Sequence, residues 1–174
     1  HGELKPVAAN IDQIIITIAV EPFAHYNLID RYLVASELSG IEPIILLNKT
    51  DLINDDNRER VDTMIDLYRS IGYQVMTVSS VDKEGLAPLQ AQLNDRISVF
   101  VGQSGVGKSS LVNRLLPDAA AQVGDVSQTS GLGQHTTTVS RLHHLPSGGN
   151  LIDSPGIREF GLWHLDVERV TWGF

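Results

Sequence analysis

Cysteine is absent from all 174 residues. That removes disulfides, thiolate catalysis and cysteine-type zinc sites from this stretch, and it fits a reducing compartment. Basic residues are also scarce. Thirteen Lys and Arg stand against twenty-one Asp and Glu, for a net charge of -8. Such a balance argues against strong nucleic-acid binding by this segment alone, with a local basic patch left open. Long apolar runs are missing too. The longest, IIITIAV at 14–20, falls far below the ~20 residues that a membrane helix needs. No secretory signal is visible, because His1 is followed by polar residues. The initiator Met is lacking and the chain stops abruptly at TWGF, so the sequence reads as a fragment. The length suits one domain with a sizeable core.

What is present is a repeated alternation of short apolar runs and helical patterns. Strands are expected at 14–20, 44–47, 75–78, 97–101, 138–145 and 151–152. Helices are expected over 27–38, with Leu28, Tyr32, Ala35 and Leu38 on one side, and over 57–71, with Val61, Met64, Ile65, Tyr68 and Ile71 on one side. Further helices are expected over 85–93 and 108–116, with Gly40, Gly72 and Pro117 as stops. Residues 118–137 are rich in Ala, Gly, Ser, Gln and Thr and read as a long functional loop. The fold class is therefore α/β: a mostly parallel sheet with helices on both faces. Ligands of such sheets bind beyond the carboxyl ends of the strands.

Three motifs follow strand-like segments. GQSGVGKSS at 102–110 fits the phosphate loop G-x-x-x-x-G-K-[ST], with a strand before it and a helix after it. Gly102, Gly105 and Gly107 let successive amides turn toward one anion, and the new helix adds its positive end. Gln103, Ser104, Val106 and Ser110 belong to the same stretch. Lys108 would reach the β and γ phosphates, and Ser109 would ligate Mg²⁺. DSPG at 153–156 supplies Asp153 as a second Mg²⁺ ligand through water, and Gly156 as an amide for the γ phosphate. Its plainer reading is an Asp-initiated turn. NKTD at 48–51 supplies base identity. The Asp51 carboxylate can accept two bonds from guanine N1–H and its 2-amino group, a pair that adenine lacks. Asn48 would bridge to the phosphate loop and the Lys49 stem would cover the base. Ser79 and Ser80 would cap the base edge through a backbone amide, or else start a helix.

The motif order NKTD, VSS, GQSGVGKSS, GLGQHTTT, DSPG resembles a translational-type GTPase in circularly permuted order. Permutation is tolerated when the original ends lie close together. GLGQHTTT at 131–138, DSPGIREFGL at 153–162 and WHL at 163–165 narrow the resemblance to the bacterial ribosome small-subunit-dependent GTPases. It covers essentially the whole chain. It implies a P-loop NTPase three-layer fold with a six-stranded sheet in the order 5-6-4-1-2-3, strand 5 antiparallel. Residues 1–174 would form the permuted GTPase domain. The family's amino-terminal OB-type barrel and carboxyl-terminal zinc domain would be absent, so Zn²⁺ is expected only in that absent domain.

The same resemblance implies Mg²⁺ with GTP or GDP, and hydrolysis of GTP to GDP and phosphate. The implied partner is the small ribosomal subunit with its rRNA, met mainly through the absent domains, by a cytoplasmic monomer without membrane contact. The family's switch threonine falls within Thr136–Thr138, with Thr137 favoured as a further side-chain ligand of the metal. Where many members carry arginine, this chain has Gln134. Familiar GTPases place a water-orienting glutamine one residue after the D-x-x-G motif. Here that residue is Ile157, which has no hydrogen-bonding side chain. The resemblance points instead to His135, whose neutral imidazole would accept from water; a packing or ribosome-contacting histidine is the plainer reading. Catalysis would then rest on His135, Lys108 and Thr137. A nucleotide-dependent ribosome-binding module with negligible turnover is the alternative that Ile157 keeps open.

Overall fold

The computed structural model describes residues 11–82, 84–116, 141–146 and 148–153. Six strands and four α-helices lie among them. In chain order they are β1 (Gln13–Ala19), α1 (Tyr26–Ser39), β2 (Glu42–Asn48), α2 (Arg58–Ile71), β3 (Gln74–Thr77), α3 (Ala87–Leu93), β4 (Ile97–Gly102), α4 (Lys108–Leu115), β5 (Arg141–His144) and β6 (Asn150–Asp153). One six-stranded sheet runs β3-β2-β1-β4-β6-β5. All neighbours pair in parallel except β5, which lies antiparallel to β6. This is the expected order with the expected odd strand, and the fold is an α/β P-loop NTPase with circularly permuted topology.

β1 is central, and all seven of its residues are buried. A strand covered on both faces has no reason to alternate, which is why its sequence is a continuous apolar run. Ile14, Ile16 and Ile18 point to the side of α1 and α2, into a core with Ile29, Leu33, Val61, Met64 and Tyr68. Ile15 points the other way and joins Leu89, Leu93, Leu111, Val112 and Leu115 of α3 and α4. Each fully buried Ile or Leu contributes about 1.5–3 kcal/mol of transfer free energy. The same burial fixes register, since a one-residue slip would exchange the two sets.

Two helix faces differ from expectation. α1 buries Ile29, Tyr32, Leu33, Ala35 and Ser36, so the stripe is centred on Ile29 and Leu33, and Leu28 and Leu38 are its flanks. Ser36 is tolerated inside because its hydroxyl donates back to the Tyr32 carbonyl at 2.8 Å. In α2 the last residue, Ile71, is 59% exposed. It occupies the final turn, where Gly72 at a φ of +115° already redirects the chain, and the stripe ends at Tyr68. The Tyr68 hydroxyl donates to Asp30 at 2.9 Å and ties α2 to α1.

The amino ends of the strands are closed by side chains. Gln13 is fully buried. Its amide donates to Ser98 Oγ at 2.8 Å and to the Gln92 carbonyl at 3.0 Å, and its carbonyl accepts from Gln92 and Arg96. With that end sealed, the opposite, carboxyl edge carries the motifs. No described helix is long and apolar enough to cross a membrane.

Candidate functional site

β2 ends at Asn48, and the chain then turns sharply. Lys49 adopts a left-handed φ of +64°, a conformation that costs a non-glycine residue about 1–3 kcal/mol and clusters at functional loops. A 3₁₀ turn over Thr50–Leu52 follows. The turn brings Asp51 against the end of β3, where the Ser79 hydroxyl donates to Asp51 Oδ1 at 2.6 Å. Thr50 also reaches this strand end, with its amide and its hydroxyl both directed at the Val78 carbonyl.

The same loop touches the segment after β4. Asn48 is fully buried, and its amide donates to the Val106 carbonyl at 2.9 Å. Lys49 Nζ donates to the Gly105 carbonyl at 2.8 Å. These contacts join residues more than fifty positions apart in the chain. Asn48 Oδ1 is buried without a hydrogen-bond partner among the described residues. A polar atom left so costs about 1–3 kcal/mol, a penalty that an apolar side chain would avoid.

The segment 103–107 is shaped by what it lacks. Gly107 has a φ of +87°, and a Cβ there would lie 2.4 Å from Asn48 Nδ2. At Gly102 a Cβ would lie 2.5 Å from the Thr17 carbonyl oxygen of β1. Any side chain at either position would push this loop off the sheet. Val106 is the loop's anchor, fully buried, whereas Ser104 and Gly105 are exposed. α4 begins at Lys108, with Ser109 and Ser110 exposed in its first turn. The first amides of a helix have no partner inside the helix and favour an anion.

Among the expected site residues, the structure thus brings Asn48, Lys49, Asp51, Ser79 and the 102–110 segment to one edge. Ser80 lies in the turn just after Ser79. Asp153 ends β6 at the same edge of the sheet, since β6 runs parallel to β4. His135, Thr136, Thr137, Thr138, Gly156 and Ile157 lie outside the described residues, as does the 118–137 stretch. No group of three or more His, Cys, Asp or Glu suited to a metal occurs among the described residues.

Two features went unread in the sequence. Ser79 donates its hydroxyl to Asp51, a contact distinct from both the expected backbone-amide cap of the base edge and the alternative helix start. The β1–α1 loop also borders the site: Pro22 sits near Gly105, and Arg60 lies 4.3 Å over the Phe23 ring with Glu21 at 3.3 Å. That ion pair is well exposed and adds little stability. EPF at 21–23 marks a strand end in sequence, and nothing local says which loop it will meet.

The sequence model of the family described as RsgA GTPase matches residues 1–163. The chain is 59% identical over its full length to the small ribosomal subunit biogenesis GTPase RsgA of Haemophilus influenzae strain PittEE, of which it covers 50%. It spans about half the length of the curated relatives it matches. The crystal structure of YjeQ from Thermotoga maritima superposes with a TM-score of 0.70 at 32% identity, over 87% of this chain and 50% of that one. YloQ, described as a circularly permuted GTPase, gives 0.63 at 36% identity, over 84% of this chain and 45% of that one.

Proposed function

This chain belongs to the RsgA GTPase family, and on that premise we propose that it binds GTP and GDP with Mg²⁺ and hydrolyses GTP to GDP and phosphate. The observation that carries the reading is the pair of bonds from Asn48 and Lys49 to the carbonyls of Val106 and Gly105. They hold a carboxylate suited to guanine and a glycine-shaped anion cradle in one fixed relation. Asp51 would accept from N1–H and the 2-amino group, and the Lys49 stem and the 79–80 turn would border the base. The amides of 103–107, with Lys108, would hold the phosphates.

Gly107 lets the loop pack closely against Asn48, and the amides of 103–107 with the first turn of α4 would supply the converging donors that a polyphosphate needs. Ser109, Thr137 and Asp153 would supply an all-oxygen donor set, which suits Mg²⁺. When bound, Mg²⁺ would offset charge developing on the phosphate oxygens. Lys108 would stabilise the same charge, His135 would orient the attacking water, and Gly156 would offer its amide to the γ phosphate.

The relatives' printed name supports assembly of the small ribosomal subunit as the process served, and hence a cytoplasmic setting and a ribosomal RNA partner. The net charge of -8 supports RNA contact made mainly outside this segment. Competition titrations with GTP, GDP and ATP test the base reading, with strong rejection of ATP expected. Equal affinities would overturn it. Turnover at saturating GTP with added small subunits tests the catalytic part. His135→Ala in the intact protein should keep GTP binding and lose most of the stimulated rate. Undiminished stimulation would reject His135, and no turnover under any condition would favour the binding-module reading that Ile157 motivates.

A further inference from the structure

The variable position inside Asn48-Lys49-Thr50-Asp51 carries an interaction that the motif itself does not require. Thr50 aims two donors at one acceptor: its amide lies 3.3 Å and its hydroxyl 3.1 Å from the Val78 carbonyl. Val78 is itself held by its own amide, which donates to the Leu47 carbonyl at 2.8 Å. The next residue, Ser79, donates to Asp51 Oδ1. Thr50 and Asp51 on one loop therefore face Val78 and Ser79 on the other, in matched order. The left-handed Lys49 makes this facing possible, since it swings the following two residues toward β3.

We infer that Thr50 is a positioning residue for guanine recognition: its hydroxyl fixes the register between the 49–52 turn and the 78–80 turn, and so aims the Asp51 carboxylate. The inference rests on the proposed base reading of Asp51. A carboxylate that must meet two donors at once tolerates little rotation, because hydrogen bonds weaken steeply as their angles fall. Held by its amide alone, Thr50 could rotate about the Val78 carbonyl. Its hydroxyl adds a second donor to that oxygen and narrows the rotation, while the Ser79–Asp51 bond holds a second point of the turn. Valine at position 50 would keep the shape and the branched Cβ while deleting the donor.

The test compares GDP with inosine diphosphate, which keeps N1–H and the 6-oxo group but lacks the 2-amino group. The unmodified 174-residue chain should prefer GDP. Thr50→Val should raise the GDP Kd about three- to tenfold, the worth of one hydrogen bond. It should weaken inosine diphosphate less, so that the ratio of the two narrows. Thr50→Ser, which restores the hydroxyl, should return the ratio to the unmodified value. Circular dichroism checks folding, and Thr50→Ala replaces the valine variant if that one does not fold. An unchanged ratio in the donor-less variant overturns the inference, whether both affinities hold or both fall equally. A chain that binds GDP and ADP equally before any substitution fails differently: it refutes the base reading of Asp51, and the inference with it.

Discussion

The two halves of the candidate site are built by opposite means. The proposed base corner, residues 48–52 with 78–80, is made of side chains that bond to one another or to neighbouring carbonyls: Asn48 to Val106, Lys49 to Gly105, Thr50 to Val78 and Ser79 to Asp51. The proposed phosphate loop, residues 102–107, is made largely by the absence of side chains. Its shape depends on Gly102 and Gly107, where a Cβ would strike Thr17 and Asn48. The lesson concerns ligand chemistry. A base has a directional edge that must be matched by aimed groups. A polyphosphate presents diffuse charge that any converging set of amides can satisfy. The base corner should therefore suffer when side chains are lost, and the phosphate loop when one is gained.

The largest effect is expected at the base corner. Asp51→Asn removes two charge-assisted bonds and should raise the GDP Kd by about 10²–10⁴-fold. Relative preference should move toward xanthine nucleotides, whose 2-position offers a carbonyl. Isothermal titration with GDP and XDP reads both numbers. An asparagine variant that still prefers GDP would mean that the corner does not read the base.

Gain of one methyl is the matching experiment on the other side. Gly107→Ala forces an L-residue to a φ of +87° and drives Cβ toward Asn48. The backbone strain alone costs about 1–3 kcal/mol, and overpacking adds a similar amount. Nucleotide affinity and the thermal midpoint should both fall. Wild-type GDP affinity in this variant would erase the contrast between the two halves.

Lys108→Ala sharpens it, since the lysine is the side chain proposed to meet the phosphates directly. GTP affinity should fall by about 10–100-fold, the range for a hydrogen bond to a charged group, with circular dichroism near native. Retained affinity would leave the loop amides as the whole of the phosphate site.

The smallest effect serves as a control in the helical layer. Burial, reinforced by its bond to Asp30, pushes the Tyr68 hydroxyl well above the ordinary tyrosine value. In the unfolded chain it ionises near about pH 10, while the folded chain keeps the proton. The stabilisation is therefore fully present below that pH and is lost progressively as pH rises above it. Tyr68→Phe should cost about 0.5–1.5 kcal/mol at neutral pH, make alkaline denaturation shallower and leave GDP binding unchanged. A shift in GDP affinity would show that the α1–α2 contact reaches the site.

Much of this molecule was legible locally because its signals are local. IIITIAV announces a strand buried on both faces, and Gly40 and Gly72 announce helix ends, for reasons that need no tertiary context. The G-x-x-x-x-G-K-S spacing carries its own strand–loop–helix geometry. The helix faces were less legible. Leu28 and Leu38 have the right chemistry, but the sheet beneath α1 selects the stripe centred on Ile29 and Leu33. Ile71 fits the helical period, yet the chain turns away from the core one residue later.

By itself the sequence determined the element order, the permuted order of the motifs and the residue types that could meet a base or a phosphate. Only the tertiary structure decided which of them touch. The Ser79 hydroxyl, the Thr50 donors and Pro22 beside Gly105 depend on four separate loops arriving at one sheet edge. Periodicity and spacing report on neighbours along the chain. Bonds such as Asn48 to Val106, across fifty-eight positions, are set by strand order and register, and these exist only once the two cores have formed on either side of β1.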